Sequence, residues 1–548
     1  MRLFTLSLSF VLIGISLWSC SDDDNGITNN EREGAYALFL KNKIEISGTA
    51  GVVMAVVEWS QAEWEISLGE GDIVSDVTPM SGGNTDDVEQ STRLKITYTG
   101  SELREPRSQS IVITNKTTGE KSDLLIEQDV MFQTLTLQID PSERYQPVVG
   151  FGGMYNPKIW CGGFLITMEQ MNKMYGTNGL GYSILRLMIY PDETDWSADV
   201  EAAKMAQDNG AIIFACPWDC TDALSDKVTV NGEELKHLKA ENYEAYADHL
   251  IRYINFMKQN GINLYAISVQ NEPDMEFTSW TPQEVVTFVK QCGAKIRATG
   301  VKLMAPESCG TSPDYTDPIL DDTEAFANTD ILAGHLYQGF INIGQSGYEK
   351  ERHDYICGLY PRLGGKTWWM TEHLFNDGEK ETDPTKWVFR TWKYCFSHLA
   401  KEIHMCMEGY CSAYVYWYLK RFYGMIGDND ERSPVSEGEI AKNGYILSHY
   451  AQYATNTTRI KVVADDNQDL YATAYINSAG NEITLVLLNM TDKVLNVEIP
   501  LEGIKQIHAV ETNEYKNMET IETNSLEKVD GSYVMLSGYS IASVRLIL

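Results

Sequence analysis

Two glutamates carry the first chemical signal in this chain. Glu272 lies in the stretch YAISVQNEPD and Glu372 in KTWWMTEHLF, and each closes a short apolar run that reads as a buried strand. A carboxylate at the end of an apolar strand is costly to bury unless the strand opens there into a site. Two of them, on strands far apart in sequence, suit a pair working on one substrate. Glycoside hydrolysis needs such a pair, one group giving a proton while the other attacks or activates water.

The elements that must position the pair are legible around it. From about 148 to 455 the chain alternates strand and helix eight times. Candidate strands occupy 148–153, 182–189, 211–216, 264–270, 302–306, 331–337, 367–372 and 412–419, separated by amphipathic stretches such as YEAYADHLIRYINFMKQNG. This rhythm predicts a parallel sheet closed into a (β/α)8 TIM barrel. An open doubly wound sheet is the alternative, but GFGG at 150–153 lacks dinucleotide-loop spacing and no P-loop occurs.

Barrel active sites lie at the carboxyl ends of the strands. The polar and aromatic residues falling there are Arg186, Trp218, Asn271, Glu272, Glu307, His335, Tyr337, Glu372 and Trp417. Singly, each has a bland reading as an ion-pair partner, a core cap or a satisfied buried histidine. Their coincidence at one end of one barrel favours a site, in which Arg186, Trp218, Asn271, His335, Tyr337 and Trp417 are expected to contact substrate around Glu272 and Glu372. Asn271 is expected to bond a sugar 2-hydroxyl, and Trp417 to stack under a sugar ring. Arg186 and Tyr337 are expected to keep Glu372 ionised and so hold the two carboxyl pKa values apart. No His/Asp/Glu cluster has ligand spacing, so neither metal nor cofactor is expected.

Composition bounds the partners. With 44 Lys+Arg against 77 Asp+Glu the net charge is −33, which argues against nucleic acid and anionic membrane surfaces. An apolar content of 43% with 11% aromatics supports sizeable cores rather than disorder. Ten cysteines, with none between Cys20 and Cys161 and no paired zinc-type spacing, do not make a disulfide scaffold.

Outside the barrel the sequence divides further. Residues 1–19 read as a signal peptide, with Arg2, an apolar run and then Cys20 at the cleavage point. Leu-Trp-Ser-Cys resembles a bacterial lipobox, which implies lipidation of Cys20. The acidic residues that follow resemble the surface-export signal of Bacteroidetes lipoproteins, which implies the outer membrane surface of a Gram-negative cell. Residues 20–34 form a polar tether. Short alternating strands over 35–130 predict a β-sandwich. Its AEWEISL, TRLKITYTG and LLIEQ pieces resemble a BACON domain, an immunoglobulin-like module, with spacing favoured over glycan binding as its role. The strand at 131–147 is of the right type to join a second, helix-free β domain over 456–548.

The motifs together resemble glycoside hydrolase family 30. The residues that carry the likeness are GFGG at 150–153, LRLMI at 185–189, ACPWD at 215–219, VQNEPD at 269–274, GHLYQG at 334–339 and WWMTEH at 368–373. The resemblance implies Glu272 as acid/base and Glu372 as nucleophile of a retaining enzyme. It also implies a side β domain built from both ends of the catalytic region. YVYWYLKRFYGMIG at 414–427 looks like the xylanase branch, in which glucuronoxylan-specific members carry Arg-Arg-x-Tyr-Gly-Pro. Here the loop reads Lys420-Arg421-Phe422-Tyr423-Gly424-Met425. Lysine lacks the arginine fork and the proline is replaced, so dependence on glucuronate is not implied. Arg421 and Tyr423 are this loop's candidate substrate contacts, and a solvated loop charge is the bland reading of Lys420 and Arg421. ACPWDCTDAL also departs from the family's Ser-Pro-Trp-Ser-Pro-Pro sequence.

The expected activity is therefore retaining endo-β-1,4-xylan hydrolysis by a monomer, with xylan-type polysaccharide as partner and the membrane touched only through the N-terminal lipid. The alternatives are another family activity (β-1,6-glucanase, exo-acting xylan hydrolase or glucosylceramidase-like) or a non-catalytic glycan-binding lipoprotein.

Overall fold

The computed structural model describes residues 34–548 apart from 87, 102–105, 131, 159–165, 231, 276–278, 338–347, 376–382, 465–468, 522 and 524–531. The leader, Cys20 and the tether as far as residue 33 lie outside the described residues. The chain divides into two units, Met1–Met131 and Phe132–Leu548.

The first unit contains two antiparallel-rich sheets. One orders its strands Tyr36–Phe39, Gly51–Ser60, Gln90–Tyr98, Val74–Thr78, and the other Lys43–Ile46, Lys121–Gln128, Arg107–Asn115, Ala62–Leu68, Ser81–Asn84. Period-two alternation does the folding. In AEWEISL, Ala62, Trp64 and Ile66 are buried while Glu63 and Glu65 are exposed. Both sheets contribute to one apolar core that includes Val57, Trp64, Leu94, Ile111 and Leu124.

The second unit holds a closed barrel of eight strands, each parallel to its neighbours. They are β1 (Gly150–Tyr155), β2 (Ile184–Ile189), β3 (Ile212–Pro217), β4 (Leu264–Ser268), β5 (Lys302–Ser308), β6 (Ile331–His335), β7 (Thr367–Glu372) and β8 (Cys411–Tyr416). Helices with one apolar stripe run between them. The helix Pro282–Arg297 starts on a Thr281/Glu284 capping box with proline at its first turn. Inside the barrel pack Ile184, Phe214, Ala266, Met304, Ile331, Ala333, Trp369, Ala413 and Val415.

Three strands stop short of their expected ends. Asn271, Tyr337 and Trp417 donate their backbone N–H to Pro217 (2.7 Å), Cys309 (3.1 Å) and His373 (2.9 Å) respectively. These bonds hold the segments just past the strand ends, so 270–271, 336–337 and 417–419 lie at the mouth of the barrel rather than in strand.

GFGG is a packing signature. A Cβ on Gly152 would sit 1.8 Å from the Ile184 carbonyl oxygen of β2, a backbone atom that cannot step aside. Gly152→Ala is expected to destabilise the barrel on the order of 3 kcal/mol. A denaturant midpoint equal to that of the parent would contradict this close approach.

The remaining sheet has nine strands, in the order Glu519–Thr520, Gln506–Thr512, Ser540–Ile547, Glu482–Asn489, Leu470–Ile476, Thr457–Ala464, Phe132–Val148, Val494–Ile499, Ser532–Leu536. Phe132–Val148 leads directly into the barrel, yet among the described residues it pairs with C-terminal strands, antiparallel to Thr457–Ala464 and parallel to Val494–Ile499. Leu137, Ile460, Leu485, Val497, Leu536 and Val544 fill the sheet's own core. Gln146 ties it to the barrel, its Nε2 donating to the Met407 carbonyl at 2.7 Å.

Candidate active site

Alternation along the barrel strands aims side chains at the axis. Ile184 belongs to the barrel interior while Leu185 and Leu187 face the helices, so Arg186 points inward. The same count from Ala333 brings His335 inward, and from Val415 it carries on to Trp417 beyond the strand end. Glu307 breaks this rule. Leu303 and Ala305 face the helix side, so Glu307 should follow them outward. A register irregularity between Pro306 and Ser308 and a φ of 65° at Glu307 turn it in instead. Glu272 also sits at positive φ, 42°. Non-glycine residues in this region carry strain of the kind that collects at functional sites.

The side chains converge into one network. Arg186, fully buried, donates through Nη1 to Glu372 Oε2 and through Nη2 to Asn271 Oδ1 at 2.7 Å. Tyr337 donates its hydroxyl to the other oxygen of Glu372 at 2.7 Å. His335 stands between two carboxylates, Nδ1 at 2.9 Å from Glu272 and Nε2 at 3.0 Å from Glu307. One oxygen of Glu272, one of Glu372 and one nitrogen of His335 lie within 4.8 Å of one another. That trio has the donor types of a metal site, but both His335 nitrogens are already engaged by carboxylates. A ligating imidazole needs a free lone pair.

Charge explains the arrangement. Burial works against the Arg186 cation, but Glu372 and Glu307 outweigh it and raise the guanidinium pKa. Burial likewise opposes the imidazolium of His335, yet the surrounding carboxylates, Glu372 first, push it up to about 10. For Glu272 burial alone would raise the carboxyl, and the His335 hydrogen bond and charge reverse that and hold it below the usual glutamate range. Three carboxylates thus share two cations in a nearly dry pocket.

The aromatic residues form the rim. Trp218 and Trp417 lie with ring centroids 5.6 Å apart and planes tilted by 36°, and the Arg186 guanidinium rests 4.7 Å from the Trp218 ring. Just after β7, His373 bonds Glu402 through Nδ1 at 2.7 Å and packs edge-on against Tyr337 at 5.1 Å. Trp417→Ala is expected to raise KM for a polymeric substrate about tenfold, with a smaller change in kcat. Unchanged KM would remove it from substrate contact.

Two expectations need correction. Arg186 and His335 were expected to touch substrate. Both are completely buried, and their polar contacts go to carboxylates, to Asn271 and to each other. A solvated loop charge was one reading of Lys420, but it is only 4% exposed and pairs with Glu437 at 2.9 Å. Arg421 is half-buried, 5.4 Å from the Phe422 ring and 5.8 Å from that of Tyr423. Tyr423 is anchored through its carbonyl, which accepts from Tyr416 and Asn443 at 3.0 Å each.

Sequence reasoning placed Glu307 at the rim without a role, and it missed its hydroxyl partners Ser268 and Thr371 altogether. The signal for those two was available in the same alternation. Ser268 follows Ala266, and Thr371 follows Trp369, each on the inward face near its strand's end. Among the described residues eight cysteines are free thiols.

The comparisons fit this geometry. Residues 174–350 match the glycosyl hydrolase family 30 TIM-barrel domain. The chain is 35% identical over 371 residues to the glucuronoxylanase XynC of Bacillus subtilis, spanning 67% of this chain and 80% of that one. It is similar to a family 30 endoxylanase structure from Clostridium papyrosolvens, with 29% identity and a TM-score of 0.63, covering 76% of this chain and all of that one. A subfamily 8 xylanase, Xyn30A of Clostridium acetobutylicum, matches at 26% identity and a TM-score of 0.60, over 76% of this chain and 99% of its own. With its eight-stranded barrel, its accompanying β sheets and its extensive likeness to these glycosidases, the chain belongs to glycoside hydrolase family 30.

Proposed function

We propose that this protein is a retaining endo-β-1,4-xylanase acting on glucuronoxylan-type chains. The observation that carries the reading is the approach of Glu272 and Glu372 to within 4.8 Å. Retaining glycosidases hold their carboxyl groups roughly 5–5.5 Å apart, whereas inverting ones leave about 6.5–9.5 Å for a water. Glu372, gripped by Arg186 and Tyr337, attacks the anomeric carbon. Glu272 protonates the departing oxygen and then deprotonates the water that releases the glycosyl group. Asn271 gives its Oδ1 to Arg186, and its buried Nδ2 has no partner among the described residues. That leaves a donor ready for a sugar 2-hydroxyl. Xylan as substrate is supported by the glucuronoxylanase and endoxylanase relatives.

Digestion of glucuronoxylan, arabinoxylan, linear xylan and β-1,6-glucan tests the reading. Xylo-oligosaccharides of several lengths from the first are expected. Cleavage of β-1,6-glucan alone, or binding of xylan without cleavage, would overturn it. Arg421 is the proposed glucuronate contact. Arg421→Ala is expected to cost about tenfold or more on decorated xylan, as loss of a charge-assisted bond does, and little on debranched xylan. Equal loss on both would sink the glucuronate assignment.

The reading extends to the cell surface, where the lipobox-like Leu-Trp-Ser-Cys20 would anchor the chain and the N-terminal immunoglobulin-like unit would space it from the membrane. A spacing role is supported by the burial of the two tryptophans among that unit's described residues, Trp59 at 5% and Trp64 at 0% exposure, which leaves neither as a stacking platform. Radiolabelled palmitate should enter the wild-type chain and not Cys20→Ser, and equal labelling of both would refute the anchor.

A further inference from the structure

Glu307 has no task in the double displacement, yet it is fully buried and heavily bonded. Oε1 accepts from the Ser268 hydroxyl; Oε2 accepts from the Thr371 hydroxyl and from His335 Nε2, with Arg186 Nη2 at 3.8 Å. Two hydroxyls and two cations around one carboxylate leave it no tendency to take a proton. Burial opposes the charge, but the His335 bond and the Arg186 field hold Glu307 down to about 2.

His335 is fixed by that anion. A neutral imidazole carries hydrogen on one nitrogen only, so it can donate to one carboxylate and not to two. His335 meets Glu307 on one side and Glu272 on the other. With both ionised, only the imidazolium satisfies both. The other charged or titratable groups facing the ring are Arg186 from β2 (Nη2 to Nε2, 3.5 Å), Glu372 from β7, Tyr337 at 6.1 Å between ring centroids, and Asp274 farther out beyond Glu272.

An ionised Glu272 cannot be a proton donor; its side-chain donors are His335 and the Cys309 thiol. Burial first, then the nearby carboxylates, push that thiol up so that it keeps its proton, which leaves His335 as the source. We infer that the general acid of this enzyme is a two-residue unit in which His335 stores the proton that Glu272 delivers and Glu307 keeps it on the ring until substrate binds. The inference rests on the assignment of Glu272 as acid/base. When sugar fills the cleft and displaces water from Glu272, its charge becomes costlier. The proton then passes from Nδ1 to Oε1 along the 2.9 Å bond. The imidazole left behind is neutral and still donates Nε2–H to Glu307. Glu272 gives the proton to the glycosidic oxygen. In the second half-reaction it takes one from the attacking water and returns it to Nδ1. No other proton enters or leaves the relay, and Glu307 serves as a positioning residue.

The experiment is the pH dependence of kcat/KM on xylan for the parent and Glu307→Gln. Removing the anion must lower the pH at which the stored proton is lost. The alkaline limb is expected to move down by at least about one pH unit, so that relative activity above the limb falls about tenfold. Ser268→Ala takes a neutral donor from Glu307 and leaves the anion in place, so its alkaline limb should stay at or above that of the parent. A uniform loss of kcat with an unmoved limb in Glu307→Gln would make Glu307 merely structural and overturn the relay. In the unmutated protein, nitrogen-15 NMR of the histidines, with His335→Gln used for assignment, should show an imidazolium at His335 up to at least pH 8. A neutral ring at pH 7 would refute the store. A parent chain that cleaved no glycan would remove the acid/base assignment itself, whereas an active parent with an unmoved limb would remove only the relay.

Discussion

Glu372→Gln should lower xylan hydrolysis by at least about 10⁴-fold while leaving the chain folded. Glutamine keeps the volume of the side chain and an oxygen for the Arg186 or Tyr337 donor, but it cannot form a glycosyl ester. Because Arg186 Nη1 and the Tyr337 hydroxyl both point at this one carboxylate, its charge is what they are built to meet. Xylo-oligosaccharide binding should therefore persist when turnover has gone. Assaying turnover, binding and thermal melting on the same sample separates these outcomes. Activity within about tenfold of the parent would mean that Glu372 is not the nucleophile.

Arg186→Met should damage both stability and activity. Arg186 is the only guanidinium in the described carboxylate network, and it is fully buried against Glu372 and Glu307. Taking one partner from a buried ion pair leaves an uncompensated charge and costs about 3–5 kcal/mol. Here two anions lose their shared cation, and His335 alone remains to balance three. The same change frees Asn271 and one oxygen of Glu372 to reorient, which should reduce kcat on the order of 10²- to 10³-fold. Arg186→Lys should fall between, since it keeps the charge and loses the fork that reaches Glu372 and Asn271 together. Chemical denaturation measures the first effect and steady-state kinetics the second. A methionine variant as stable and as active as the parent would contradict the account of Arg186.

The barrel was legible in the sequence because each of its strands is a compact apolar run bounded by polar turns, and Thr367–Glu372 was read to the residue. Strand ends were less legible. The bonds that hold the segments past the strand ends, such as the Trp417 N–H to the His373 carbonyl, join residues far apart in the chain. Burial state was the main failure at the site. Arg186 and His335 are residue types that usually meet water or ligand, and only the three-dimensional count of neighbouring carboxylates shows why they lie underneath. Glu307 was hidden for a different reason. Its inward aim depends on a backbone irregularity that no side-chain pattern announces. The loop at 420–425 was read as departing from the glucuronate-binding pattern, but the burial of Lys420 against Glu437 needed the fold.

The central claim is that Glu272 and Glu372 act by double displacement on xylan, and the anomeric configuration of the first product tests it most directly. Proton NMR of a fresh digest, recorded before mutarotation, should show the β-anomer of the new reducing end appearing first and the α-anomer growing in later. An α-anomer formed first would show direct displacement by water, and the 4.8 Å approach of the two carboxylates would then have been misread.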